Sequence, residues 1–265
     1  EEDFYTLDVK KIRSLITKDT VAILPVHVYG HICEVEELDK ISKEYGIPVL
    51  YDAAHAFGER YHGRGVGSFG YASMFSFHAT KVFHSIEGGA VCIGEKNPEL
   101  MHKLYALKNF GIMGQESVEL VGCNGKMNEF SAAMGLCNLR HIEEFIKERE
   151  KRYRHYESLL KELPGLIFPK EQEGVEKNYA YLPVRILGEG RRTQIFSLLE
   201  KEGIHPRKYF YPLISDYDCY KGKFSGDGTP IAKRIAEEIL TLPIYPDLEF
   251  ADIDRISAIL QKECS

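Results

Sequence analysis

Lys81 and Asp52 are the residues whose type and setting most directly suggest chemistry. Lys81 lies in Met74-Phe-Ser-Phe-His-Ala-Thr-Lys-Val-Phe-His, with Phe75, Phe77, Val82 and Phe83 around it. A lysine is ordinarily a solvated surface residue. An amine partly withdrawn from water holds its proton less firmly, and a neutral amine is what an imine-forming lysine needs. Ser76 and Thr80 supply hydroxyls that can reach a phosphate, and Gly88-Gly89 permits close backbone approach. Asp52 stands in Tyr51-Asp-Ala-Ala-His-Ala-Phe-Gly, directly after an apolar run. Ligands of open α/β sheets gather at the carboxyl ends of strands, so a carboxylate there is well placed to meet a cationic ligand. Capping the turn that follows is the plain alternative for Asp52.

Positioning these residues requires a sheet. Val21-Ala-Ile-Leu-Pro-Val-His-Val is apolar without helical periodicity and predicts a buried strand. Glu34 to Tyr45 has Val35, Leu38 and Ile41 on one side and acids and lysines opposite, an amphipathic helix closed by Gly46. Ile47-Pro-Val-Leu-Tyr predicts a second strand ending at Asp52. Strand, helix and strand at this spacing form a βαβ unit and imply a parallel sheet covered on both faces. Strands are also expected at Tyr71 to Phe77 and Gly89 to Ile93, with a helix from Pro98 to Lys108 and a long one from Asn128 to Leu163. Pro164 to Val175, rich in Gly, Pro and charge, marks a domain boundary, giving 1–163 and 164–265. The second part predicts a strand near Tyr179 to Ile186, helices at Arg192 to Glu202, Pro230 to Ile239 and Phe250 to Lys262, and a Gly/Ser loop over 222–229. It reads as a small α+β domain.

The Asp-x-x-His element at Asp52, the Ser-Phe-His-Ala-Thr-Lys element at Lys81 and the Glu-Gly-Gly-Ala after it resemble the DegT/DnrJ/EryC1/StrS sugar aminotransferases. The resemblance runs from about Val21 to the C-terminus. It implies an α/β fold of the pyridoxal 5′-phosphate (PLP)-dependent transferase type I: a mainly parallel sheet domain, here incomplete at its N-terminus, plus the small domain. Lys81 would be the Schiff-base lysine and proton shuttle, and Asp52 the partner of the cofactor's ring nitrogen. His55 would lie beside the ring or bond its 3′-hydroxyl, and Ser76 would bind the phosphate. Asn124, in Gly122-Cys-Asn-Gly-Lys-Met-Asn, resembles the family element that reaches the phosphate of the neighbouring subunit's cofactor, which implies a homodimer. For Asn124 a turn between glycines is the alternative, and for His55 a bond to backbone. Tyr209-Phe-Tyr-Pro resembles an aromatic segment near the sugar, and Glu87 is a further candidate for the site. The family's preceding segment, with its phosphate cup and ring-stacking aromatic, has no counterpart here, and residue one is Glu rather than Met. The chain is therefore expected to be part of a longer one.

The resemblance implies transfer of an amino group from glutamate to a keto group on a nucleotide-linked sugar. The Lys81 block most resembles enzymes that make 3-amino-3,6-dideoxyhexoses, which points to a dTDP-3-keto-6-deoxyhexose 3-aminotransferase. GDP- or UDP-sugar 4-aminotransferases, and a non-catalytic partner or regulatory protein of the same fold, are the alternatives. Dehydration is disfavoured, because the family's dehydratases carry histidine where Lys81 stands.

Composition narrows the field. The net charge is −6 with no concentrated basic run, which argues against a nucleic-acid partner. No apolar stretch approaches the roughly 20 residues that span a bilayer. The six cysteines form no C-x-x-C pair, so they are expected as free thiols in a reducing cytoplasm. His78 and His84 flank Lys81, but no carboxylate or cysteine falls at a matching spacing, so no metal site is expected.

Overall fold

The computed structural model describes residues 1–94, 97–220, 222–223 and 228–264. Helix α1 (Val9–Leu15) starts at Asp8, whose side chain accepts from Lys10 N. Helix α2 (Val35–Tyr45) stops at Gly46, whose φ of 66° is the left-handed turn expected of a helix-ending glycine. Both bury an apolar face: Val9 and Ile12 from α1, Val35, Leu38 and Ile41 from α2. Strand β1 (Leu50–Asp52) follows, and then a short hairpin of β2 (Arg60–Tyr61) and β3 (Arg64–Gly65). Strand β4 (Ala72–Ser76) pairs parallel with β1, and β5 (Gly89–Ile93) closes the sheet antiparallel to β4.

The strand expected over 21–28 is reduced to two isolated parallel bridges, Ile23 with Val49 and Val26 with Asp52. Pro25 lacks an N–H to extend the ladder, and by Val28 the chain has entered a tight turn through Tyr29 at φ 57°. Within the described residues, helices cover one face of the sheet. Ile23, Val49, Tyr51 and Ser73 are buried under α1 and α2. On the other face the register aligns Val26, Asp52, Met74 and Val91, and Val26, Met74 and Val91 are all exposed. Residues directly opposite one another in a sheet share a face, so Asp52 belongs to the open one.

Helix α3 (Pro98–Lys108) leads into an arm over 109–124, bridged at Asn109–Asn124 and Ile112–Val118. Gly111 and Gly122 meet at its base. A Cβ on Gly111 would lie 1.6 Å from Leu120 O, and one on Gly122 would lie 2.4 Å from Gly111 N. The long helix expected over 128–163 divides into α4 (Glu129–Leu139) and α5 (Ile142–Leu160). Arg140 N bonds Cys137 O and His141 N bonds Asn138 O, three-residue bonds that tighten and end the first helix. Near the end of α4, the Asn138 side chain donates to the His84 carbonyl at 2.9 Å.

The remaining elements are β6 (Leu166–Ile167), β7 (Val175–Glu176), β8 (Leu182–Ile186), α6 (Arg191–Lys201), α7 (Pro230–Glu238), β9 (Ile239–Leu242) and α8 (Phe250–Cys264). Strands β6, β8 and β9 make an antiparallel sheet. Its buried residues share one core with Tyr153, Tyr156 and Leu160 of α5, so the C-terminal half of α5 packs with the second unit. The last residue of the helix expected over 230–239 instead begins β9, whose four residues are all buried. The Gly/Ser loop expected over 222–229 lies in part outside the described residues. Strand β7 crosses back to pair with β2, joining the two units. Leu182 is fully buried on the central strand β8. Leu182→Ala is expected to cost about 2–5 kcal/mol, seen as a lower urea midpoint with little change in the denaturant slope.

Candidate active site

Asp52 and Ser76 end two adjacent parallel strands at their carboxyl ends. Ser76 lies two residues beyond Met74, the partner of Asp52, so alternation brings its side chain to the same open face. Asp52 Oδ1 accepts from Ala54 N at 3.0 Å. The turn-capping role anticipated as an alternative is therefore real, and Oδ2 is left unengaged by hydrogen bonds from the described residues.

Lys81 sits beyond β4 in a turn closed by its own N–H bonding His78 O at 2.9 Å. Its side chain is half-buried, and burial lowers the pKa of the amine below the ordinary lysine value. The Asp52 carboxylate opposes that shift and the Arg207 guanidinium adds to it. His55 is buried, and its pKa falls to about 3, first through burial and then through the Lys81 charge. Tyr29 N donates to His55 Nδ1 at 3.0 Å, so the neutral ring carries its hydrogen on Nε2 and offers a donor there. Phe210 stacks on the His55 ring at 5.8 Å between centroids, 8° from parallel.

The other expected residues separate into groups. Asn124 is exposed on the arm over 109–124, where it bridges to Asn109. Thr80 is exposed and engaged by His78 Nδ1 at 3.0 Å. Glu87 is exposed, 3.8 Å from His78 Nε2. His84 lies against Asn138. The space at Gly88 and Gly89 is taken by the protein itself. A Cβ on Gly88 would meet Ser85 Oγ at 2.5 Å and Met127 Cε at 2.6 Å, and one on Gly89 would meet Phe75 O at 2.7 Å. Of the Tyr209-Phe-Tyr-Pro stretch, Phe210 reaches His55, and the Tyr209 carbonyl accepts a short hydrogen bond from Tyr29 Oη.

A half-buried amine of lowered pKa, a carboxylate, an imidazole Nε2–H and a hydroxyl at neighbouring strand ends suit a ligand with an aldehyde, a basic ring nitrogen, a ring hydroxyl and a phosphate. Those are the groups of PLP. The DegT/DnrJ/EryC1/StrS aminotransferase family matches residues 1–261. The chain belongs to that family. It is a PLP-dependent sugar aminotransferase of fold type I. It is 41% identical over 270 residues to a dTDP-4-amino-4,6-dideoxy-D-glucose transaminase of Escherichia coli, covering 98% of this chain and 71% of that protein. A dTDP-3-amino-3,4,6-trideoxy-alpha-D-glucose transaminase of Streptomyces venezuelae is 33% identical over 250 residues, covering 94% of this chain and 65% of that one. The solved structure of DesI in the presence of its TDP-sugar product superposes with a TM-score of 0.92 at 32% identity, over 100% of this chain and 68% of that one.

Three participants escaped the sequence reading. Tyr29 holds the His55 ring, Arg207 acts on the Lys81 amine, and Asn178 holds the His55 backbone. Each is remote in the chain from the residue it serves, and no spacing signal links them. Since Asp52 holds the Lys81 pKa up and Arg207 pushes it down, Asp52→Asn is expected to lower that pKa further and Arg207→Gln to raise it. The pH dependence of amine-reagent labelling at Lys81, followed by peptide mass spectrometry, measures both shifts. Displacements in the same direction would contradict this electrostatic picture.

Proposed function

We propose that the chain moves an amino group from glutamate to carbon 4 of a dTDP-linked 4-keto-6-deoxyhexose, working as a homodimer in the cytoplasm. The observation that carries the reading is the half-buried Lys81 amine, its pKa lowered, beside the strand ends that bear Asp52 and Ser76. Support for carbon 4 comes from the 41% identity to a transaminase named for a 4-amino sugar, against 33% for the one named for a 3-amino sugar. That comparison redirects the expectation from carbon 3, which the Lys81 block alone had suggested. The six free thiols fit a reducing compartment. Among the described residues no helix is long and apolar enough to cross a membrane.

PLP, when bound, supplies an electron-poor ring that takes up the electron pair left as a carbon next to nitrogen loses its proton. Lys81 anchors the cofactor through its amine. The free Lys81 amine would take the proton from the glutamate α-carbon and would later give one to the sugar carbon. Asp52 keeps a proton on the ring nitrogen, which sustains the ring's pull on electrons. His55 offers its Nε2–H to the ring hydroxyl, and Ser76 donates to the phosphate. The balance is glutamate and keto sugar in, 2-oxoglutarate and amino sugar out. Asn124 serves the phosphate in the neighbouring subunit. Val118, Val121 and Phe130, exposed on either side of it in sequence, provide apolar surface for a second copy to cover.

Incubation with PLP and a mild hydride donor is expected to leave one pyridoxyl group on the Lys81 peptide, absent in Lys81→Ala. An adduct on any other lysine would sink the assignment. With glutamate as donor, the 4-keto sugar nucleotide should give the amino sugar and the 3-keto isomer should not; the reverse preference would restore the carbon-3 reading. Asn124→Ala is expected to weaken PLP binding with the sedimentation coefficient unchanged. Full PLP affinity in that variant would remove Asn124 from the site.

A further inference from the structure

Asn178 is completely buried at the junction of the two units, just before β8. Every polar atom of its side chain is used. Nδ2 donates to His55 O at 2.8 Å and to Phe57 O at 3.0 Å, and Oδ1 accepts from Ala180 N at 2.9 Å. Its backbone N–H donates to Glu59 Oε1 at 3.2 Å. Glu59 is itself buried, tucked beneath Gly30, where a Cβ would lie 2.3 Å from Glu59 Oε1. Gly30 follows Tyr29, the residue whose N–H holds His55 Nδ1. The His55 ring is thus held by Tyr29 and its backbone by Asn178, while Glu59 accepts from Asn178 N and packs beneath Gly30. Asn178, His55 and Lys81 also line one small cavity, with Phe57 and Tyr181. Tyr181, three residues beyond Asn178, lies 4.5 Å from the His55 ring between centroids.

We propose that Asn178 is a positioning residue for the cofactor site: reaching across from the second unit, its carboxamide clamps the His55–Phe57 backbone and so fixes how the imidazole meets PLP. This rests on the assignment of His55 to the cofactor made above. A buried carboxamide that satisfies two carbonyls at once is hard to replace. Removing it leaves both carbonyls without partners in a site closed to bulk water. The effect on His55 is direct, because the first of those carbonyls is its own.

The test is a double-mutant cycle on the full chain with added PLP. Asn178→Ala is expected to weaken PLP binding by about tenfold, the size that follows from losing two buried hydrogen bonds. Asn178→Ser, a smaller perturbation that keeps one donor, should lose less. If Asn178 acts through His55, Asn178→Ala in a His55→Ala background should cost little more than His55→Ala alone. Losses that simply multiply overturn the proposal. A second readout needs no cofactor: the ¹⁵N shifts of the His55 ring, which report the Nδ1 hydrogen bond from Tyr29. Movement of those shifts in Asn178→Ala or Asn178→Ser is the expected result. Unchanged shifts in a folded variant sink the proposal, even if its melting temperature falls. An unaltered PLP affinity in His55→Ala overturns instead the assignment of His55 on which the proposal rests, and the ring shifts then decide the role of Asn178 separately.

Discussion

A slip of one residue between β1 and β4 would turn Ser76 away from the face that Asp52 occupies, because side chains alternate along a strand. The observed pairing, Asp52 opposite Met74, is enforced from the covered face. Tyr51 and Ser73 are opposite one another there, both buried, and Ser73 Oγ donates to Phe69 O at 3.2 Å. Entry into β4 is equally constrained. Tyr71 N bonds Val49 O at 2.8 Å, and at Gly70 a Cβ would lie 2.7 Å from that same carbonyl. Packing beneath the sheet thus decides which hydroxyl accompanies the carboxylate above it.

Electrostatics refines what register positions. A fully buried ammonium would lose its charge outright, and a fully exposed one would keep the pKa of free lysine. Lys81 lies between these limits, with a carboxylate and a guanidinium drawing it in opposite directions. His55 falls on the other side of the balance: burial keeps it neutral through the physiological range, and the Tyr29 N–H decides which nitrogen carries hydrogen. Burial thus lowers the pKa of both neighbours, and it does so far enough to keep His55 neutral.

What could be read from the sequence was local. Helix α2, strand β5 and helix α3 follow from apolar periodicity, a helix-ending glycine and a run flanked by glycine, each visible within a dozen residues. Lys81 and Asp52 stood out for the same reason, since the apolar residues beside Lys81 and the strand before Asp52 adjoin them in sequence. Failures came where distant packing overrides local preference. The apolar run over 21–28 satisfies strand propensity, yet it forms only two bridges. Ile239 reads as the last residue of a helix, yet its pairing with Arg185 makes it the first residue of β9. The break before α5 is made by three-residue backbone bonds at Arg140 and His141, which no apolar periodicity announces. Asn178 meets His55 across 123 positions, beyond the reach of any periodicity argument.

The base of the arm that carries Asn124 is closed by Gly111 and Gly122 at a separation that leaves no room for a side chain on either. Freedom to diverge is therefore unequally distributed along it. The two glycines must persist for the arm to form at all, whereas the tip, from Ile112 to Val118, is open to substitution at little cost to the fold. Variation among related chains should accumulate at that tip, while the base that presents Asn124 keeps its shape.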